Sequence, residues 1–254
     1  MTLVKVKKFL GIKIFSQNKK YTLEKIKKYI SKRTNFCHVV SLNPEILVIA
    51  KENYEFKKII ETAQIQIIDG IGVVLASRLL GINIGERYPG VDLVDDLLNL
   101  SSKMRLRVLF IGAKLNLAIK LAECYQKKFS HAKFFGLEGI LDIKNPKKQE
   151  EEKIFSIISD FKPHLVLVAF GSPHQELWIA RHKKEFVNCV VMGVGGAFDF
   201  LGGVVPRAPV FLRKVGLEWF FRLLVQPWRW RRQLRLIKFI WFLINDFILS
   251  LIKK

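Results

Sequence analysis

From residue 36 to about residue 200, short β-branched apolar runs alternate with longer amphipathic stretches, and that alternation leaves few folds open. CHVVSL, IQIID, RVLFIG, KFFGLEG, LVLVAF and CVVMGVG read as strands. EILVIAKEN, IGVVLASRLLG, VDLVDDLLNLSSK, LNLAIKLAECYQKKF, KQEEEKIFSIISDF and HQELWIARHKKEF read as helices. A helix after nearly every strand is the pattern of crossover units in a parallel sheet.

The expectation is an α/β chain. One Rossmann-like domain with a mainly parallel sheet flanked by helices spans residues 1–200, and a C-terminal helical, membrane-associating appendage spans residues 201–254. No internal repeat or low-complexity linker interrupts the pattern. With 254 residues, half of them hydrophobic, the chain can bury a full core. Lys5, Lys7, Lys8 and Lys13 break the first apolar stretch before a secretory h-region could form, so the protein is expected in the cytoplasm. Cys37, Cys124 and Cys189 are odd in number, far apart and set in apolar surroundings, which reads as reduced core thiols.

The formal net charge of +21 is concentrated at the two ends. Residues 1–33 carry eleven Lys/Arg against one Glu, and residues 199–254 carry eleven against Asp199, Glu218 and Asp246. Such ends suit nucleic acid, anionic lipid or a phosphorylated substrate, and the field alone does not choose. The C-terminal arginines are interleaved with tryptophan and phenylalanine, and the last apolar run is broken by Arg235, Lys238, Asn245 and Asp246. That run falls short of a membrane span and fits an interfacial amphipathic helix facing anionic lipid. Phe239, Trp241, Phe242 and Phe247 would equally serve to cover the domain or a homo-oligomer interface.

Ligands of open α/β sheets sit outside the carboxyl ends of the strands, which directs attention to four junctions. In SLNPE, Ser41 and Asn43 close a strand and Pro44 opens a helix; Asn43 reads as an N-cap, and the pair also suits a sugar hydroxyl. In IIDGIG, Asp69 ends an apolar strand beside Gly70 and Gly72. A carboxylate there is either a helix cap or a base with a raised pKa. In FGSPHQELW, Ser172, Pro173 and Gln175 spell a capping box whose helix N-terminus suits a diphosphate, and Gln175 is also able to reach a sugar. In VVMGVGGAFDFLGG, Phe198 stands where a dinucleotide fingerprint needs its last glycine, which leaves a bare phosphate-binding turn at Gly195 and Gly196.

No zinc spacing, nucleophile elbow, P-loop or DxD pair is present, so neither a metal nor a cofactor is expected. A diphosphate leaving group must then be neutralised by arginines and helix dipoles, with Arg222, Arg229 and Arg232 as candidates. A basic nucleic-acid or membrane adaptor and a dinucleotide-dependent enzyme are the rival readings. The Asp, Asn and Gln at strand ends argue against the first, and against nucleic acid as a partner.

Taken together, SLNPE, IDGIGVVLASRLLG, ERYPGVDLV, FGSPHQELW, GVGGAFDFLGG and RAPVFLRKVGLEWFFRLLVQPWRWRRQ resemble the WecG/TagA/CpsF family of glycosyltransferases, over about residues 36–233. The resemblance implies an inverting transferase that moves ManNAc, its uronic acid or a glucose-type sugar from a UDP-sugar donor. The acceptor would be a polyprenyl-diphosphate-linked sugar such as undecaprenyl-diphosphate-GlcNAc, at the inner face of the membrane, in surface-polymer synthesis. It assigns Asp69 as the base, and Ser41, Asn43 and Gln175 as substrate-binding residues. Ser41 stands where the family usually has threonine. Arg222, Arg229 and Arg232 match the arginines of a C-terminal appendage that closes over the site at the membrane.

Overall fold

The computed structural model describes residues 5–33, 35–113 and 116–252. Leu115, the expected start of one helix, and the terminal Lys253 and Lys254 lie outside them. The chain opens with a hairpin, β1 (Lys5–Phe9) and β2 (Ile12–Ser16), followed by α1 (Lys19–Lys32). Next come β3 (Cys37–Leu42), α2 (Pro44–Glu52), α3 (Tyr54–Thr62), β4 (Ile65–Ile68), α4 (Ile71–Leu79) and α5 (Gly90–Met104). The second half holds β5 (Arg107–Gly112), α6 (Leu117–Lys128), β6 (Lys133–Leu137), α7 (Lys148–Phe161), β7 (Leu165–Ala169), α8 (His174–Arg181), β8 (Val190–Gly193) and α9 (Ala197–Leu201). The tail is α10 (Val210–Lys214), α11 (Glu218–Val225), a 3-10 turn at Pro227–Arg229, and α12 (Trp230–Ile252).

All six expected strands form, in one parallel sheet of order β4-β3-β8-β7-β5-β6. Register pairs Val39 with Ile65 on one side and with Met192 on the other. From β3 the chain winds outward to β4, crosses to β5 and winds outward to β6, then returns through β7 and β8 to the middle. The carboxyl ends of β3, β8 and β7 therefore face the crevice in which such sheets hold ligands.

Period-two alternation along the strands divides the core. Val39, Val108, Phe110 and Met192 point into a layer with Ile26, Leu97, Leu121 and Phe198 from α1, α5, α6 and α9. Val40 and Leu42 point the other way, into a layer with α2, α3 and α4. On that same face Leu109, Ile111, Val166 and Val191 meet Trp178 and Phe186 beside α7 and α8. Residues buried on both sheet faces explain why the strand runs are apolar throughout.

Two features differ from the sequence expectation. Residues 5–32, read only for their charge, form the hairpin and α1. Leu10 and Gly11 both take positive φ, at 50° and 77°, the backbone a two-residue hairpin turn demands. Gln66 in β4 binds this hairpin to the sheet edge: its Oε1 accepts from Phe15 N at 2.8 Å, and its Nε2 donates to Lys13 O at 3.1 Å and Ile60 O at 2.8 Å. A buried glutamine with every bond made replaces strand pairing there. The second difference is Cys124, which is exposed on α6, whereas Cys37 and Cys189 are the buried thiols expected.

The tail folds back on the domain along α2. Phe239 is 3% exposed and packs 6.5 Å from the ring of Phe9, with Leu236, Phe242 and Leu243 beside it. Burial of a phenylalanine is worth about 2 kcal/mol, so α12 has its own hold on the core. Its opposite face, Ile237, Trp241, Ile244 and Ile248, is exposed at helical spacing. No described helix is long and apolar enough to cross a membrane.

Candidate active site

Asp69 follows β4 directly and does not cap α4. The N-cap of that helix is Gly70, with no side-chain bond, while Asp69 Oδ1 accepts from the amide of Gly90 at 3.1 Å. The glycines of DGIG have a steric reason. A Cβ on Gly70 would lie 2.7 Å from Pro44 Cδ and 3.2 Å from Asn43 Cβ, and one on Gly72 would lie 3.1 Å from Pro44 Cγ. The Asp69 turn is thus pressed against Asn43–Pro44. Asn43 is the N-cap expected, its Oδ1 accepting from Ile46 N at 3.0 Å, with Pro44 in the first turn. Ser41 joins the group, because a Cβ on Gly90 would stand 3.2 Å from Ser41 Oγ.

Burial raises the Asp69 carboxyl above its ordinary range; the Gly90 hydrogen bond and Arg87 oppose this, and Glu218 and Asp92 add to it. A carboxylate held with a raised affinity for protons is suited to removing one. Arg87 carries no role in the junction-by-junction reading of the sequence. Its Nε donates to the Asp69 carbonyl at 2.9 Å and its Nη1 to the Arg213 carbonyl at 2.9 Å. The only sequence signal for it was its place in the ERYPG block.

The capping box expected at Ser172–Gln175 does not form. The N-cap of α8 is Pro173, and the peptide before it is cis. Ser172 Oγ instead donates to Glu176 Oε2 at 2.5 Å. Gln175 is 4% exposed and faces the sheet: its Oε1 accepts from Gly171 N and Gly195 N, each at 3.1 Å, and its Nε2 donates to Glu176 Oε1 at 2.7 Å. Burial raises the pKa of Glu176, opposed by the bonds from Ser172 and Gln175. Gln175 thus ties the start of α8 to the turn after β8, and Glu176 takes the Ser172 hydroxyl.

The turn after β8 takes positive φ at Gly195, at 49°. Its amide is bonded to Gln175, so in this arrangement the Gly195 N–H is not turned to an anion. Gly196 is where the tail arrives. The guanidinium of Arg222 occupies the space a Cβ would fill, donating from Nη2 to Gly196 O at 3.3 Å and to Asp199 Oδ2 at 2.8 Å.

The three tail arginines converge. Gln226 Oε1 accepts from Arg222 Nε at 3.1 Å and from Arg229 Nη1 at 3.5 Å. Arg232 Nε lies 3.0 and 3.1 Å from the two oxygens of Glu45, in the first turn of α2. Burial, with the charges of Arg222 and Arg232, pushes Arg229 down to about 10. Arg222 is paired with Asp199 and Arg232 with Glu45, whereas Arg229 bonds to the neutral Gln226, which leaves cationic charge for an incoming anion. Glu45, one residue past Pro44, joins this cluster to the Asp69 side. Among the described residues no group of three His, Cys, Asp or Glu side chains could hold a metal ion.

Comparison with known proteins gives a consistent set of relatives. The family described as "Glycosyl transferase WecG/TagA/CpsF family" matches over residues 7–251. A Bacillus subtilis (strain 168) protein, named N-acetylglucosaminyldiphosphoundecaprenol N-acetyl-beta-D-mannosaminyltransferase, is 32% identical over 202 residues, covering 79% of this chain and 76% of that one. A protein of the same name from Bacillus spizizenii is 34% identical over 203 residues, 80% and 76% of the two chains. One from Staphylococcus aureus (strain NCTC 8325 / PS 47) is 31% identical over 224 residues, 88% and 85%.

Proposed function

The chain belongs to the WecG/TagA/CpsF family of glycosyltransferases, and from that premise we propose that it moves an N-acetylmannosamine-type sugar from a UDP-sugar to undecaprenyl-diphosphate-linked GlcNAc. The names of its relatives support the acceptor and the sugar. The observation that carries the mechanism is that the Asp69–Gly70 turn packs on Asn43 and Pro44, while the next residue, Glu45, holds Arg232 of the tail.

In this reading the reaction is a direct displacement. Asp69 takes the proton from the acceptor hydroxyl, whose oxygen bonds to the anomeric carbon as the bond to the UDP oxygen breaks, inverting that centre. UDP leaves with the electron pair, and Arg222, Arg229 and Arg232 take up its charge with no need for a divalent cation. Ser41 and Asn43 hold sugar hydroxyls beside Asp69. Gln175, bonded to the Gly195 amide, holds the turn against which Arg222 rests at Gly196, so that the guanidinium and not the backbone amide meets the diphosphate. General-base assistance is worth about 10²–10⁴-fold.

The acceptor is a lipid, so the enzyme works as a peripheral protein on the anionic cytoplasmic face of the membrane. The outward face of α12, with Trp241 at 59% exposure, and Trp228, at 70% in the turn before it, supply the contact. A panel of UDP-sugars offered with an undecaprenyl-diphosphate-GlcNAc analogue, with and without chelator, tests the reading by product mass. The expected product is the acceptor plus one N-acetylhexosamine, at an unchanged rate under chelation. No transfer from any UDP-sugar would overturn the proposal.

A further inference from the structure

Among the half-buried guanidinium groups of the tail that the proposed chemistry leaves unused is that of Arg207. Arg207 lies between α9 and α10. Its Nε donates to Glu218 Oε1 at 3.1 Å, its Nη2 to Asp92 Oδ1, and its Nη1 stands 3.6 Å from Asp95 Oδ2. Asp92 and Asp95 belong to α5, and Glu218 opens α11, so one side chain gathers three carboxylates from two helices. A rigid fork of donors is what such a junction needs, and lysine could not span it in the same way.

Two of these carboxylates are the acidic neighbours of Asp69. Gly90, whose amide donates to Asp69, is the first residue of α5, and Asp92 stands in the same first turn. Glu218 comes from the tail side, four residues before Arg222 on the same helix. The remaining charged neighbour is Arg87, bonded to the Asp69 carbonyl. Uncompensated, Asp92 and Glu218 would oppose a third negative charge at Asp69 by Coulomb repulsion. The same two residues are the ones paired with Arg207.

We propose that Arg207 is a positioning residue for the base: it neutralises the two carboxylates beside Asp69 and fixes α11 against α5, so that Asp69 can carry the negative charge proton abstraction needs while the tail is docked over it. The inference rests on the reading of Asp69 as the base. It assigns to the tail a second role at the site besides presenting arginines to the diphosphate.

The test is the pH dependence of kcat/KM for transfer to the lipid acceptor. In Arg207→Met the acidic limb should move to higher pH by about one unit, a roughly tenfold loss on that limb, with the loss shrinking toward alkaline pH. Arg207→Lys should lie between Arg207→Met and the native protein. Adding Glu218→Gln to Arg207→Met should move the limb back. If Arg207→Met unfolds, Glu218→Gln alone serves, and its limb should move to lower pH. A uniform loss at every pH, or a limb unmoved by Glu218→Gln, overturns the proposal. Asp69→Asn separates the two ideas. Transfer retained in Asp69→Asn would defeat the base itself, whereas transfer lost there with an unmoved limb in Arg207→Met defeats only the role of Arg207.

Discussion

Arg232 and Glu45 meet across 187 residues of sequence, the guanidinium Nε within 3.1 Å of both carboxylate oxygens. Arg235 reaches the same carboxylate, and Lys238 pairs with Glu52 at 2.6 Å two turns along α2. Glu45 follows the Asn43 cap of that helix, so the tail is tied to the element that positions Ser41, Asn43 and the Asp69 turn. An incoming diphosphate would compete with Glu45 for Arg232.

Glu45→Gln should therefore loosen α12 without unfolding the domain. The arginines are about two-fifths exposed, so each pair is screened and worth about 1 kcal/mol or less. Hydrogen exchange over residues 230–249 should rise severalfold while α5 and the sheet keep their protection. Unchanged exchange would mean that the apolar face of Phe239, Leu236, Phe242 and Leu243 holds the helix without Glu45.

Asp69→Asn should separate activity from stability. Transfer should fall about 10²–10⁴-fold. A carboxyl whose folded pKa is raised contributes stability that is present below its unfolded pKa and lost as pH rises through the folded one. Wherever Asp69 is ionised in the fold it therefore costs stability, and Asn, which still accepts from Gly90, should leave Tm equal or higher there. A lower Tm above the folded pKa, measured by a thermal melt across pH, would contradict this.

Gly193→Ala is a steric test of Gln175. The added Cβ would sit 2.6 Å from Gln175 Nε2 and 2.8 Å from its Cδ, so the glutamine must leave its place. The amides of Gly171 and Gly195 then lose their acceptor, at about 1–3 kcal/mol for a buried group left unpaired. A lowered Tm together with weakened UDP binding by calorimetry is expected. Normal UDP affinity would exclude Gln175 from shaping the diphosphate turn.

Arg229→Gln should cut UDP affinity about 10–100-fold, the worth of one or two hydrogen bonds to a charged group. Burial and the neighbouring arginines disfavour its charge in the unliganded protein, so Tm should hold or rise. A large fall in Tm with intact UDP binding would make Arg229 a structural residue.

The outward face of α12 is tested with vesicles containing anionic lipid. Ile237→Glu with Trp241→Glu should reduce cosedimentation at least about tenfold, since each exposed apolar side chain inserted contributes about 1.5–3 kcal/mol. A folded double variant that still binds vesicles as before would place the membrane contact elsewhere.

Period and punctuation were enough to read the six parallel strands, most of the helices between them, and the strand ends at which Ser41, Asn43 and Asp69 lie. Those signals are local: buried strands must be apolar, and Asn–Pro must open a helix. The hairpin escaped because its alternating lysines read as charge alone, and its partner Gln66 stands 51 residues from Phe15. Gln175 fitted a capping pattern in sequence, yet its Oε1 bridges the Gly171 amide before α8 and the Gly195 amide after β8, and the second of these is brought to it only by the sheet. Which carboxylate each arginine meets was also illegible. Arg207 with Asp92, Arg222 with Asp199 and Arg232 with Glu45 are pairings across 115, 23 and 187 residues of sequence. Sequence by itself determined the layered sheet and the residue types at its active edge. Tertiary packing decided their partners, because charge pairing depends on distance through space and leaves no period in the chain.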